Sequence, residues 1–536
     1  MNDDRKPGPA LSIAALQAKL ESHGFACRAH VRADAVVSGV THDSRAVAAG
    51  DLFLAMSGTR TDGARYIEQA LAAGAVAVVC EPGVAAADVA RIELDDVMRA
   101  AGVIASAVHG EPTAGMRVVG ITGTNGKTSC TYLLESVLAA AGHSAGVVGT
   151  VSQRWPGHES TASMTTPPAT DLQKMMAQVA AAGCGWVAME VSSHALSQHR
   201  VAGCSFDAAI FTNLTRDHLD YHGDEETYFA AKARLFLEYL SPDGVAVLNA
   251  DDAFAMRLVD TLGRDRCRTF SIEPGVDADV VVTALDSDLD GLRGRLRLGT
   301  GGREIELDSR LVGTPNLANI AAVVAAADAL GLATDSIERG LRACAPVPGR
   351  VERIGRTRPV VLVDYAHTPD ALERTLASVA RHTVGRLIVV FGCGGDRDRG
   401  KRPMMGEIAG REATVAVLTS DNPRSEEPAA ILADIEVGVT RVSGMTRARD
   451  VEALRAPGAG GYLVEADRER AIAAALALAA TDDVVVVAGK GHEDYQDVAG
   501  HKRHFDDREV VRRLQGGGHG GDVSGDEADD GTVRPC

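Results

Sequence analysis

The sequence predicts an α/β protein of three domains with mostly parallel sheets, and three observations carry that reading. Short apolar runs alternate with helical patterns along most of the chain, as in successive βαβ units. Aromatic residues are only 4% of the chain, so the core must be built from Ala, Val, Leu and Ile, a mix that suits buried parallel strands under Ala-rich helices. Two Pro/Gly-containing breaks, EPTAGM at 111–116 and APVPGR at 345–350, divide 536 residues that are too many for one hydrophobic core.

Residues 1–115 mix strand-like pieces at 36–40 and 75–79 with Ala-rich helical stretches, and form the first expected domain. The second, 116–345, opens on the apolar run 116–121. That run leads into a Gly-rich turn and then a helical pattern with Leu133, Leu134, Val137 and Leu138 at helical spacing. Further strands are expected at 185–191, 208–211 and 244–249. The third domain, 346–514, carries strand-like runs at 360–364, 387–391, 415–419 and 484–488. The remainder, 515–536, is rich in Gly and Asp and nearly free of bulky apolar residues, so it is expected to stay disordered.

Composition excludes several function classes. A formal net charge of −18 argues against a broad nucleic-acid-binding face, which would need clustered Lys and Arg. The nine cysteines are odd in number and contain no C-x-x-C pair, so neither a disulfide framework nor a zinc site is indicated. They read as reduced, buried small hydrophobes. The start, MNDDRKPGPA, has no apolar signal-like run, and no apolar stretch reaches membrane-spanning length. The expectation is a cytoplasmic protein without membrane insertion.

Gly123-Thr124-Asn125-Gly126-Lys127-Thr128 sits where a strand hands over to a helix. Glycines there let backbone N–H groups converge on phosphate oxygens, with the helix dipole adding to the attraction. Lys127 would reach the outer phosphates and the Thr128 hydroxyl would ligate Mg²⁺. The spacing departs from the usual phosphate loop, because Ile121 stands where the first Gly belongs. Downstream, Glu190 ends a predicted strand, a position suited to holding a metal near the phosphates. His218 follows the next strand. Alone it reads equally well as a turn histidine, since Mg²⁺ prefers oxygen ligands. Lys232 alone reads as a solvated helix lysine.

GTNGKT, MEVSSH, TRDHLDYHG with AAKARLF, DYAHTPD, FGCGGDRDRGKRP, TSDNPR and VAGKGHEDYQ occur in this order. Together they resemble the Mur ligases, and among these the diaminopimelate-adding kind, over about residues 36–510. The resemblance implies a UDP-binding N-terminal domain, a central P-loop-type ATPase domain and a Rossmann-like C-terminal domain that brings the amino acid. It implies an ATP-dependent ligase that attaches meso-diaminopimelate to UDP-N-acetylmuramoyl-L-alanyl-D-glutamate through an acyl phosphate, in peptidoglycan precursor synthesis. The cofactors implied are ATP, two Mg²⁺ ions and a CO₂-derived carbamate on Lys232. A monomer is expected, although the sequence itself does not reveal the oligomeric state.

By the same resemblance, Glu190, His218, Thr128 and the carbamate of Lys232 match the metal site, and Asn316 and Asn319 match an asparagine pair on the nucleotide side. Ser44, Thr165, Thr166, Ser192, Gln198 and Arg200 match contacts to the UDP-linked substrate. Asp421-Asn422-Pro423-Arg424 matches the motif that selects diaminopimelate. An arginine suits that task, because diaminopimelate differs from lysine by a second carboxylate. Arg397, Gly489 and Glu493 match other positions that hold the amino acid. His367 is expected to contact the phosphoryl group or intermediate, with Asp364 orienting nearby groups, and Lys127 to stabilise the transferring charge. Residues 443–461 look like a surface loop insertion. A lysine-adding relative and a catalytically inactive nucleotide-binding regulator remain open as alternatives.

Overall fold

A computed structural model describes residues 10–30, 35–58, 62–84, 89–299, 302–456 and 458–516. Residues 517–536 of the expected tail lie outside the described residues. Gln515 and Gly516, assigned to the tail by sequence, instead close the helix Asp507–Gly516. The chain forms two compact units, Met1–Glu352 with Thr368–His382, and Arg353–His367 with Thr383–Cys536.

The first unit holds two large sheets. The N-terminal one runs in the order Cys27–His30, Ala90–Leu94, Ala77–Cys80, Asp51–Leu54, Gly39–Thr41, parallel except for its first pair. The single strand expected at 36–40 is split. Val36–Val37 pairs with Leu11–Ser12, and Gly39–Thr41 joins the sheet edge.

The second sheet has eleven strands among the described residues, with Arg117–Thr122 near its middle. Ala145–Val148, Trp186–Glu190, Arg117–Thr122, Phe206–Phe211 and Leu240–Asn249 lie side by side and parallel. Both faces are covered, which explains why these strands read as unbroken apolar runs rather than alternating ones. Val119, Ile121, Ala188 and Ile210 point to one face, under Leu133, Leu134 and Val137 of the helix Lys127–Ala140. Val118, Val187, Met189 and Phe211 point to the other, against Leu172, Met176, Phe229 and Phe236. Antiparallel strands extend both edges, Ser152–Trp155 with His158–Thr161 on one side and Val280–Ser287, Leu292–Leu298 and Arg303–Ser309 on the other.

The chain leaves Arg117–Thr122 toward one side of the sheet and later continues on its other side at Phe206–Phe211. Such a reversal opens a crevice at the carboxyl ends of the strands, where open α/β sheets bind ligands. The expected linker at 111–116 is packed rather than loose, with Pro112 and Thr113 buried in a 3₁₀ turn.

The second unit contains a six-stranded sheet whose parallel strands Val360–Asp364, Val484–Ala488, Leu387–Phe391, Val415–Leu418 and Gly461–Val464 lie side by side. The helix Pro369–Ala380, within the segment assigned by sequence to the C-terminal domain, belongs to the first unit. Ser378 Oγ there accepts from Thr314 N, and Asp370 accepts from Asn125 Nδ2. The segment expected as an insertion is anchored from within, because Leu454 is buried and its carbonyl accepts from Arg386 Nη1. No helix among the described residues is long and apolar enough to cross a membrane. The eight cysteines among them are free thiols, all buried except the half-buried Cys27.

Candidate active site

The carboxyl ends of three adjacent central strands carry the first cluster. Arg117–Thr122 feeds the turn at 123–126, and the helix Lys127–Ala140 begins immediately after it. Gly126 stands at its N-cap with φ 90°, and no side chain caps the helix. The first-turn N–H groups are thus left for a ligand, the requirement of an anion site. The loop is held from behind by residues that sequence reasoning missed. Thr124 N and Asn125 N donate to Asn213 O and Asn213 Oδ1, at 2.8 and 2.9 Å. Asn213 lies two residues before the TRDHLDYHG motif, so the signal stood just outside a run already singled out.

The asparagine pair meets this loop. Asn319 Nδ2 donates to Asn316 Oδ1 at 3.2 Å, and both residues are buried. A Cβ on Gly126 would run into Asn319 Oδ1. Gly126→Ala combines that clash with a left-handed backbone, so it is expected to destabilise the protein by roughly 1–3 kcal/mol. A thermal-unfolding midpoint equal to that of the parent would refute the packing described.

Lys127 Nζ donates to Gly123 O and Thr124 O, both at 2.8 Å. Burial lowers its pKa, while Glu190 and Asp217 oppose that shift. Thr128 Oγ1 accepts from Arg350 Nη2 at 3.1 Å, a second partner not anticipated from sequence.

Lys232 corrects the reading from composition. It is 1% exposed on the helix Glu225–Arg234, donates to Gly123 O at 2.9 Å, and lies 4.3 Å from the centroid of the Tyr228 ring. The helix is started by Asp224, which accepts from Thr227 N, and it also buries Tyr228, Phe229, Ala231 and Ala233. Burial drives the Lys232 pKa well below that of an ordinary lysine and nearby Lys127 pushes the same way, with Asp217 opposing. Two lysines therefore converge on one carbonyl oxygen.

Glu190 is buried at the end of Trp186–Glu190. Its carboxylate accepts from Thr150 N at 2.8 Å and Thr150 Oγ1 at 2.9 Å. Thr165 Oγ1 lies 3.0 Å from Thr150 Oγ1, and Thr166 Oγ1 donates to Glu190 O and accepts from Ser192 N. Ser192 Oγ caps the short helix Ser193–Ser197. Arg200 Nη1 donates to Thr166 O, and Gln198 Oε1 accepts from Arg200 Nη2 at 2.7 Å. Five of the six residues expected to hold the UDP-linked substrate therefore form one network. Ser44, in the turn after Gly39–Thr41, donates instead to Gln69 Oε1. His218, at φ 54°, lies edge-on to His194 at 4.8 Å and 3.4 Å from Asp217.

No group of three or more His, Cys, Asp and Glu stands ready for a metal among the described residues. Glu190 and the Thr128 hydroxyl fit Mg²⁺ nonetheless, since that ion takes one or two carboxylates and completes its shell with water and phosphate oxygens.

The second unit assembles its own cluster at the carboxyl ends of its strands. Asn422 Nδ2 donates to Glu493 Oε2 at 2.9 Å, and Asn422 Oδ1 accepts from Lys490 Nζ at 3.1 Å. Arg424, at φ 51°, donates from Nη1 to Gly395 O at 2.7 Å, which turns its guanidinium toward the glycine loop before the exposed Arg397. Asp396 accepts from Ser425 N and Oγ, and Pro423 is buried, so the 392–397 loop and the DNPR turn form one wall. Gly489 N donates to Asp364 O, and Asp364 Oδ1 accepts from Ala366 N. That bracing precedes His367, whose Nδ1 lies 2.8 Å from Tyr365 O. Burial and the nearby Asp421 raise the Glu493 pKa, and Lys490 lowers it. Lys490, fully buried, is a further residue that sequence reasoning missed, although it lies within the GKGHE run.

Three family profiles match the chain in order. They are described as Mur ligase family, catalytic domain (36–109), Mur ligase middle domain (121–327), and Mur ligase, glutamate ligase domain (349–491). The UDP-N-acetylmuramoyl-L-alanyl-D-glutamate--2,6-diaminopimelate ligase of Synechococcus elongatus is 46% identical over 493 residues, covering 90% of this chain and 95% of its own. The enzyme of that name from Geobacter metallireducens is 46% identical over 499 residues, covering 90% and 96%. A solved structure of a ligase of the same name superposes with TM-score 0.64 at 34% identity, over 89% of this chain and 94% of that one. With identity of this extent across nearly its whole described length, the chain belongs to the Mur ligase family.

Proposed function

We propose that this chain is the ATP-dependent ligase that joins meso-diaminopimelate to the D-glutamyl residue of UDP-N-acetylmuramoyl-L-alanyl-D-glutamate, acting as a cytoplasmic monomer. The observation that carries the choice of amino acid is the second unit's cluster. There the Arg424 guanidinium, suited to a carboxylate, and the acids Asp421 and Glu493, suited to an ammonium, belong to strand-end loops of one sheet. Arg397, Asn422, Pro423 and Gly489 complete the walls. Residues 1–115 and 116–345 serve the UDP-linked substrate and ATP, and 346–514 the amino acid.

The γ-phosphoryl group passes from ATP to the glutamyl carboxylate, releasing ADP. The diaminopimelate amine then attacks the carbonyl carbon, loses a proton, and expels phosphate as the amide forms. Gly123 to Thr128 hold the phosphates through backbone N–H groups, Lys127 neutralises charge on the transferred group, and Asn316 and Asn319 flank the nucleotide. Ser44, Thr165, Thr166, Ser192, Gln198 and Arg200 hold the UDP-linked substrate. His367, on the turn braced by Asp364, is assigned contact with the phosphoryl group in the reacting state.

Thr128, Glu190, His218 and a carbamylated Lys232 would hold Mg²⁺, which neutralises phosphate oxygens and so supplies the main electrostatic demand of phosphoryl transfer. The buried amine of Lys232 supports the carbamate. Only a neutral amine adds CO₂, and burial beside Lys127 disfavours the ammonium.

The test is phosphate release from ATP and Mg²⁺ with the UDP-linked dipeptide, comparing meso-diaminopimelate, L-lysine and no amino acid. Turnover with diaminopimelate alone is expected. Turnover with lysine instead would retain the ligase and reject the assignment of Arg424. Absence of turnover with either would favour a nucleotide-binding regulator.

A further inference from the structure

Lys490 has no exposed surface, follows the strand Val484–Ala488, and directs its ammonium into the acidic cluster. Nζ lies 3.1 Å from Asn422 Oδ1, 3.4 Å from Glu493 Oε2 and 3.6 Å from Asp421 Oδ1. Two carboxylates and one ammonium leave the cluster a single net negative charge. Its free acceptor capacity is unevenly distributed. Among the described residues, the buried Asp421 Oδ1 accepts no hydrogen bond, and Glu493 Oε1 has only a long contact to Tyr365 OH at 3.4 Å. Glu493 Oε2, by contrast, is fixed by Asn422 and Lys490 together.

We infer that Lys490 is a positioning residue for the amino-acid substrate, holding Asp421 and Glu493 as an ionised pair with one charge and two oxygens left over for a substrate ammonium. This rests on the proposed ligase reading and deepens it. Two buried carboxylates side by side cannot both stay ionised without a cation, and a protonated one no longer attracts an ammonium. The charged or titratable groups bearing on Glu493 are Asp421, Lys490, Tyr365, Tyr495 and, more remotely, the buried Arg468. Of these, Lys490 is the only cation in contact with both acids. Asn422 is held by the same ammonium, so Lys490 also fixes the residue next to Pro423 and Arg424.

The experiment measures KM for meso-diaminopimelate and kcat between pH 6 and 8.5 in the full-length protein, for the parent, Lys490→Met and Lys490→Arg. Lys490→Met is expected to raise KM for diaminopimelate by about 10- to 100-fold at neutral pH, as for loss of charged hydrogen bonding. KM for ATP should stay nearly unchanged. The defect should shrink as pH rises, because without Lys490 the acid pair ionises only at higher pH. Lys490→Arg should recover much of the affinity. Should Lys490→Met be unstable, the double variant Lys490→Met/Glu493→Gln, which removes the unpaired charge, is expected to regain the parent's unfolding midpoint without regaining affinity. An unchanged KM and pH profile in Lys490→Met overturns this inference alone. Failure of the parent itself to use diaminopimelate overturns the ligase reading and this one with it.

Discussion

Lys232→Ala is expected to cut ligase turnover by on the order of 10³-fold while leaving nucleotide binding measurable, a loss typical of deleting one preorganised charge-stabilising group. The size follows from the environment rather than from the lysine's own charge. As an ammonium, the buried Lys232 would put a second cation beside Lys127 on the same Gly123 carbonyl. Burial and that neighbour both favour the neutral amine. A neutral, nucleophilic amine can take up CO₂ and become an anion, which reverses the local charge and makes the site welcome a cation. The alanine variant has no amine from which such an anion could form. In buffer stripped of CO₂ the parent should lose activity and regain it on addition of bicarbonate, whereas Lys232→Ala should respond to neither. Full turnover by the parent without CO₂ would reject the carbamate, and near-normal turnover by Lys232→Ala would remove Lys232 from the mechanism.

The contrast between Lys127 and Lys232 shows where sequence is informative. Lys127 was legible because a strand, a glycine turn and a helix are contiguous, so local pattern alone locates its backbone N–H groups at a helix start. Lys232 was not legible from pattern, since Tyr228-Phe229-Ala230-Ala231-Lys232 specifies a helix without saying what covers that helix. What covers it comes from Gly123, 109 residues away. Only the resemblance to the Mur ligases singled Lys232 out. The same limit hid Asn213, Arg350 and Lys490, whose partners lie 88, 222 and 68 residues away in sequence. Most central parallel strands were found because burial on both faces leaves unbroken apolar runs, although Ala145–Val148 was not among them. The run Leu292–Leu298 was passed over although Arg occupies every second position and Leu292, Leu296 and Leu298 between them are buried, the mark of an antiparallel strand with one wet face. Likewise, a Pro/Gly break at 345–350 marks where a linker begins. It carries no information on the helix Pro369–Ala380, whose partners Thr314 and Asn125 assign it to the first unit.

The second large effect is expected at Arg468, a residue that touches none of the proposed substrates. Arg468 and Asp507 are both fully buried, and the guanidinium donates to both carboxylate oxygens, at 2.8 and 2.7 Å. Its remaining donors reach Ser420 O at 3.3 Å and Ala488 O at 2.9 Å. Those carbonyls immediately precede Asp421 and Gly489, so a single side chain ties together the two strand-end loops that carry the acidic cluster. Arg468→Met strands the Asp507 carboxylate in the interior, which costs about 3–5 kcal/mol. It also removes the donors of both carbonyls. Stability and diaminopimelate affinity should therefore fall together, while KM for ATP changes little. The double variant Arg468→Met/Asp507→Leu separates the two consequences, since replacing a whole buried ion pair by apolar side chains is often close to neutral. It should recover most of the denaturant midpoint, yet keep a raised KM for diaminopimelate, because Ser420 O and Ala488 O still lack their donor. If the double variant recovers both properties, the ion pair matters for stability alone. If Arg468→Met unfolds at the parent's midpoint, the pair is not holding the second unit together.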